Sequence, residues 1–135
     1  MTPEESRALA VTILHSTMEA ANSSDWIIDA DGIPLAEPCE IQGQDGVAFS
    51  LGARSASRSD DPTSDVERVV EYWQSIGITS RVVSQPVPRA FGVGGPIKAI
   101  SFSTAPTYAV SVSGECVPGD AFDYYDDYRA PSPTP

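Results

Sequence analysis

The first apolar positions of the chain recur with the period of an α-helix. Thr2, Pro3 and Glu5 precede them with the T-x-x-E spacing of a capping box and a proline suited to the first turn. The polar run at 22–24 ends the pattern. We therefore predict a helix that starts at Thr2 and buries one apolar stripe, formed by Leu9, Ala10, Ile13, Leu14, Thr17, Met18 and Ala21.

A second helical stripe follows the segment 55–64, which is rich in Ser and Asp. Ser64 and Glu67 have the spacing of another capping box, and Gly77 stands where a helix commonly ends. The apolar side of this predicted helix consists of Val66, Val69, Val70, Trp73 and Ile76.

The other apolar residues form short runs or alternate with small polar residues, which is typical of β-strands. Serine alternates with apolar residues in the last two of them, so we expect a solvent-facing serine side and an apolar side against the helices. The glycine-rich segment 91–96 is interpreted as a hairpin connection, with a binding loop as the alternative. The predicted strands lie at 26–28, 47–53, 81–85, 98–103 and 108–113.

The predicted elements follow the order α-β-β-α-β-β-β. An antiparallel sheet with both helices packed on one face accommodates this order with short connections. We therefore predict a single α+β domain over residues 1–119 and an acidic C-terminal tail, rich in Tyr and Pro, over residues 120–135.

The predicted tail contains four aromatic residues that are candidates for binding a partner. They are Phe122, Tyr124, Tyr125 and Tyr128, and they alternate with aspartates. Two interpretations stay open: a strip that a partner protein binds, or residues that pack on the domain or belong to a loose chain end.

The charge of the chain excludes some partners. It carries 8 Lys and Arg against 19 Asp and Glu, which gives a net charge of −11. Such a surface repels nucleic acid and anionic lipid, so we predict neither as a partner. No stretch is apolar enough to span a bilayer, so membrane association would require a lipid anchor or a partner outside this chain.

The two cysteines bear on the cellular compartment. Cys39 and Cys116 are separated by more than half of the chain, which excludes a CxxC motif and favours a long-range disulfide formed outside the reducing cytosol. Two buried, reduced thiols are the alternative. Because the N-terminus lacks the basic and apolar segments of a signal peptide, we expect that an export signal has been removed.

Residues suited to catalysis or metal binding are few. The one histidine, His15, falls opposite the apolar stripe of the first helix. Asp29 and Asp31 begin like a calcium loop, but Ile33 follows where an oxygen ligand is required. We predict no catalytic residue, no metal and no cofactor. A hydrolase that uses carboxylates we cannot single out is the alternative.

Together these segments resemble the mature domains of small, uncharacterised lipoproteins or secreted proteins of actinobacteria. The resemblance covers about residues 2–119 and rests on the segments 2–7, 26, 38–39, 46–51, 66–77 and 113–119. It implies a cell-envelope location and a disulfide, and it brings no known catalytic residues. The lipid-bearing cysteine of such proteins has no counterpart here.

The functional expectation follows from the disulfide, the charge and this resemblance. We expect a non-enzymatic, exported binding or accessory protein of the bacterial cell envelope, such as an accessory subunit of a membrane complex, with a protein partner. An inhibitor or immunity-type protein for a secreted partner is the alternative, since an acidic surface steers association with a basic target.

Overall fold

Both helices pack on one face of an antiparallel sheet in the computed structural model, which describes residues 1–57 and 59–125. Within these ranges there are two α-helices and eight strands, which confirms the α+β class. The elements are α1 (Pro3–Ala20), β1 (Trp26–Ile28), β2 (Leu35–Ile41), β3 (Gln44–Ser55), α2 (Pro62–Ser75), β4 (Thr79–Val83), β5 (Arg89–Val93), β6 (Ala99–Ser103), β7 (Tyr108–Ser113) and β8 (Val117–Pro118), with 3-10 turns at Asp29–Gly32 and Ala121–Tyr124.

The order of elements is α-β-β-β-α-β-β-β-β-β, so three strands were not predicted by the hydrophobic pattern. They are β2, β5 and β8. Strand β5 includes Phe91 and Val93, so only the part of the glycine-rich segment from Gly94 onward connects two strands. The absence of a side chain at Gly92 serves packing, because a Cβ atom there would lie 2.6 Å from Ile78 Cγ2 and 3.2 Å from Trp73 Cε3.

The start of α1 is the predicted one. The Thr2 hydroxyl accepts the backbone N–H of Glu5 at 3.1 Å, and the Glu5 carboxylate accepts the N–H of Thr2 at 2.9 Å. This reciprocal pair satisfies two N–H groups that have no partner inside the helix. The predicted stripe faces the core, where Ala10, Ile13, Leu14, Thr17, Met18 and Ala21 are buried.

The start of α2 differs from the prediction. The N-cap is Asp61, whose carboxylate accepts the backbone N–H of Ser64 at 3.1 Å, and Pro62 occupies the first turn. Ser64 is therefore inside the helix, because an aspartate followed by a proline makes the stronger start. The end is as predicted: Gly77 has a φ of +87°, and Ile78 donates to the Trp73 carbonyl at 3.0 Å.

Strand β3 has the largest number of partner strands in the described sheet. Along most of the sheet the strand order is β1-β3-β7-β6-β5-β4, and β3 also pairs with β2 and β8. All of these pairings are antiparallel. One long strand thus joins segments that come before and after it in the chain.

The main core lies between the helices and the inner sheet face. It is filled by large side chains with almost no exposure, and the Trp73 indole N–H donates to the Thr17 hydroxyl at 3.1 Å. A second, smaller cluster lies at the β2–β3 end and includes Val47 and Phe49. The largest fully buried residues of the main core are Trp73, Tyr108, Phe102, Leu14 and Ile97.

The predicted disulfide is present and staples the end of the sheet. Cys39 and Cys116, 77 positions apart, are bonded, with Cα atoms 6.1 Å apart. Cys39 lies opposite Gly46 of β3, and Cys116 directly precedes β8, which pairs with β3 on its other side. The bond therefore crosses β3. Neither α1 nor α2, the helices of the described ranges, is long and apolar enough to cross a membrane.

Candidate functional site

A groove of about 630 Å³ runs between α1 and the turn that leads into β2. One side of α1 forms the first wall, because the helical period places residues 4, 7, 8, 11 and 12 on that side. The other wall is the chain from Gly32 to Pro34. We call this the α1 groove; it is lined by Glu4, Arg7, Ala8, Val11, Thr12, Gly32, Ile33 and Pro34.

The α1 groove has a polar end and an apolar end. The Arg7 guanidinium lies 5.4 Å from the centre of the Tyr124 ring and 5.8 Å from that of Phe49, within the range of cation–π contact. Towards the other end the walls are Val11 and Ile33, and the Ile33 side chain is partly exposed. An apolar side chain that lies here would contact one aliphatic side chain from each wall.

The carboxyl group at the polar end has a lowered pKa. The Tyr124 hydroxyl donates to Glu4 Oε1 at 2.8 Å, and this hydrogen bond lowers the pKa of Glu4, with a further contribution from its backbone hydrogen bond. The same bond, together with burial, raises the pKa of Tyr124. The pair thus links the first turn of α1 to the chain near residue 124.

The predicted aromatic candidates separate into different roles. Residues 121–125, which we call the aromatic turn, follow β8 and pack on the second cluster through Ala121 and Tyr124. The Tyr124 ring packs edge to face with the Phe49 ring, and the two ring centres are 5.3 Å apart. Phe122 is 75% exposed, and the centre of its ring lies 4.9 Å from the centre of the Tyr125 ring. Tyr128 lies outside the described residues.

A buried carboxylate forms a separate polar cluster. Asp65 is 1% exposed and accepts hydrogen bonds from Ser59, from Arg68 and, at 2.5 Å, from the Tyr108 hydroxyl. Because every neighbour donates to it, the carboxylate is fully satisfied and ties α2 to β7. It therefore has a structural role, which its place in the acidic first turn of α2 did not reveal.

The other residues weighed from the sequence lie in ordinary surroundings. His15 is exposed on α1. Asp29 and Asp31 belong to a 3-10 turn in which Ala30 and Asp31 have positive φ angles of 51° and 56°. Within residues 1–57 and 59–125, no group of three or more His, Cys, Asp or Glu side chains is arranged to hold a metal ion.

The face of the sheet turned away from the helices is a second candidate surface. Serine, alanine and glycine fill its centre, as the alternation predicted. Larger side chains surround them, including Phe91 and Val93 at one side and Ile27 and Leu35 at the other. We call this the outer sheet face.

The sequence did not reveal the α1 groove. Its two walls are about twenty residues apart in the chain, and the helix wall looks like an ordinary solvent side with Glu4, Ala8 and Thr12. Only the position of the turn before β2 converts that side into a groove. Comparison of the chain with protein-family models, curated proteins and solved structures gives no significant match.

Proposed function

We propose that the protein is a non-enzymatic, exported binding domain of the bacterial cell envelope, related to the small actinobacterial proteins that its sequence resembles. In this proposal the α1 groove and the aromatic turn bind an apolar segment of a partner protein. The groove itself carries the proposal: its volume of about 630 Å³ lies within the range of roughly 300–1,000 Å³ common for binding sites.

The disulfide supports the exported location. Bonds such as Cys39–Cys116 form and persist in oxidising compartments and are uncommon in the cytosol. The bond closes a loop of most of the domain, so it stabilises the fold that carries the α1 groove. This supports a location outside the cytoplasm, in the envelope or secreted.

Exposed apolar side chains support a protein as the occupant. Phe122 exposes 75% of its surface next to Tyr125, and Ile33 adds a partly exposed aliphatic side chain at the α1 groove. Aromatic anchors are typical of protein interfaces. The apolar end therefore suits aliphatic or aromatic side chains of the partner, and Arg7 with Glu4 suits polar groups of its backbone.

The pKa of Glu4 disfavours one catalytic role at this groove. A general acid needs a raised pKa, whereas the Tyr124 hydrogen bond lowers that of Glu4. Among residues 1–57 and 59–125, Glu4 is also the one carboxylate that lines the groove. The hydrolase alternative therefore gains no support from this groove.

Site-specific crosslinking in the native source tests the proposal. A photoreactive phenylalanine analogue is introduced at His15, an exposed residue one helical turn beyond Val11, at Phe122, or at Gln74, an exposed residue of α2 that serves as the control. We expect positions 15 and 122 to crosslink to the same envelope protein and position 74 to give no such product.

A blocking variant makes the test specific for the α1 groove. Ala8→Trp fills the groove from an exposed helix position, so it should abolish the crosslink from position 122 without unfolding the domain. Gln74→Trp is the matched control and should leave it unchanged. Identical products from all three positions, or a product that persists in Ala8→Trp, would refute the proposal.

A further inference from the structure

One row of residues crosses the outer sheet face from edge to edge. Strand pairing aligns its members in register, and Asp29 extends the row because its Oδ2 lies 2.9 Å from the point where Gly52 would carry a Cβ atom. Across six positions the row spans about 24 Å at the usual strand spacing of about 4.8 Å. In order it reads Asp29, Gly52, Ser111, Ser101, Phe91 and Arg81.

The two ends of this row have opposite charge. Asp29 is exposed at one end, and Arg81 is exposed at the other, with its guanidinium 5.1 Å from the centre of the Phe91 ring. Neither side chain forms an ion pair with another residue of the described ranges. Each end thus offers a charge that a complementary surface would satisfy.

The row also pairs a large apolar side chain with a residue that has no side chain. Phe91 is 36% exposed. A depression of about 200 Å³ lies beside Gly52, with Ser50, Ser111 and Asp29 among its lining residues, and the Asp29 carboxylate lies over Gly52 itself. Phe91 and Gly52 are at equal distances from the middle of the row, between Ser101 and Ser111.

We propose that a second copy of this chain packs face to face on the outer sheet face, related by a two-fold axis that runs parallel to the strands between Ser101 and Ser111. This operation reverses the row, so Asp29 of each copy meets Arg81 of the other, and Phe91 of each copy faces Gly52 of the other. Such a self-complementary contact is what closed two-fold symmetry requires. It does not depend on the proposed function of the α1 groove.

The same operation brings two like charges together at the flank. The neighbouring row reads Arg54, Ala109, Ser103 and Arg89 across strands β3, β7, β6 and β5. Its middle lies between Ala109 and Ser103, so the two arginines are at equal distances from the axis. Across the axis Arg54 therefore faces Arg89 of the second copy, and their repulsion weakens the dimer. A dimer in reversible equilibrium with the monomer follows.

Sedimentation velocity over a range of protein concentrations tests the dimer. We expect Asp29→Arg and Arg81→Asp each to weaken association by about tenfold or more, since two symmetry-related pairs change together. The double variant Asp29→Arg/Arg81→Asp should restore association. Glu71→Arg, on the helix side of the domain, is the matched control and should have no effect.

Two further variants keep the test decisive. Arg54→Gln should strengthen the dimer severalfold, because it removes the like-charge contact. Ser111→Lys, at an exposed position of the row, should dissociate the dimer while circular dichroism shows an intact fold. A wild-type protein that stays monomeric to about 1 mM, a double variant without rescue, or binding of an unrelated protein to this face in place of the second copy would overturn the proposal.

Discussion

The Sγ atom of Cys116 lies 2.6 Å from the point at which a Cβ atom on Gly46 would stand. The Cys39 Sγ atom is 3.2 Å from the same point, and the Val117 carbonyl oxygen is 2.9 Å away. The disulfide can therefore cross strand β3 only because residue 46 has no side chain. The position of the Cys39–Cys116 bond therefore requires glycine at residue 46, as does the nearby Val117 carbonyl.

Gly46→Ala is expected to lower the free energy of unfolding by about 1–3 kcal/mol, the usual cost of adding a methyl group to a filled space. Chemical denaturation measures the change. The same substitution in a Cys39→Ser/Cys116→Ser background should cost less, because the smaller hydroxyl groups can rotate away. Equal costs in both backgrounds would show that contact with sulfur is not the reason for glycine.

Removal of the disulfide should destabilise the domain by about 2–5 kcal/mol, since the bond closes a long loop in the unfolded chain. Cys39→Ser/Cys116→Ser, compared with the oxidised wild type by urea denaturation, measures this. Reduced wild-type protein is the control and should unfold at the same urea concentration as the variant. Unchanged stability upon reduction would contradict the stapling role.

Thr17→Val should lower the free energy of unfolding by about 1–3 kcal/mol, because it leaves the buried Trp73 indole N–H without an acceptor. The replacement is nearly equal in volume, so packing changes little. Thr17→Ser keeps the hydroxyl and serves as the control, with most of the stability retained. If the Val variant were as stable as the Ser variant, the hydrogen bond would not matter.

The Glu4–Tyr124 hydrogen bond should stabilise the fold between two limits of pH. The folded pKa of Glu4 is lowered, so its contribution is fully present above the pKa of about 4.3 in the unfolded chain and is lost as the pH falls through the folded value. The folded pKa of Tyr124 is raised, so its contribution is fully present below about pH 10 and is lost as the pH rises through the folded value.

Tyr124→Phe tests this bond directly. The variant should raise the pKa of Glu4 towards its ordinary value in an NMR titration, because the largest cause of its lowering is removed. Glu5 is the internal control, since its pKa is lowered by hydrogen bonds from Thr2 and should not change. A Glu4 pKa that stays low in the variant would rule out the tyrosine as the cause.

Local signals explain what the sequence predicted well. The capping box of α1, the helix end at Gly77 and the serine side of the sheet each depend on a few neighbouring residues. The start of α2 was displaced to Asp61 because two adjacent capping signals competed within four residues.

Long-range contacts explain what was missed. Gly92 looks like part of a flexible connection, yet it is a strand residue whose missing side chain makes room for Ile78 and Trp73. Pro38 disfavours a strand at β2 because proline has no backbone N–H, but β2 pairs on one side only, and an edge strand tolerates that missing donor. The α1 groove and the charged row depend on the same kind of distant contact.

Strand β3 takes its partners from both directions along the chain, which determines when the domain can finish folding. Strands β1 and β2, which pair with β3 on one side, are synthesised before it. Strands β7 and β8, which pair with its other side, come much later, at residues 108–118. Until that last segment has been synthesised, β3 keeps an unpaired side and Cys39 lacks its partner. The sheet around β3 therefore stays incomplete until residues 108–118 are available to close it.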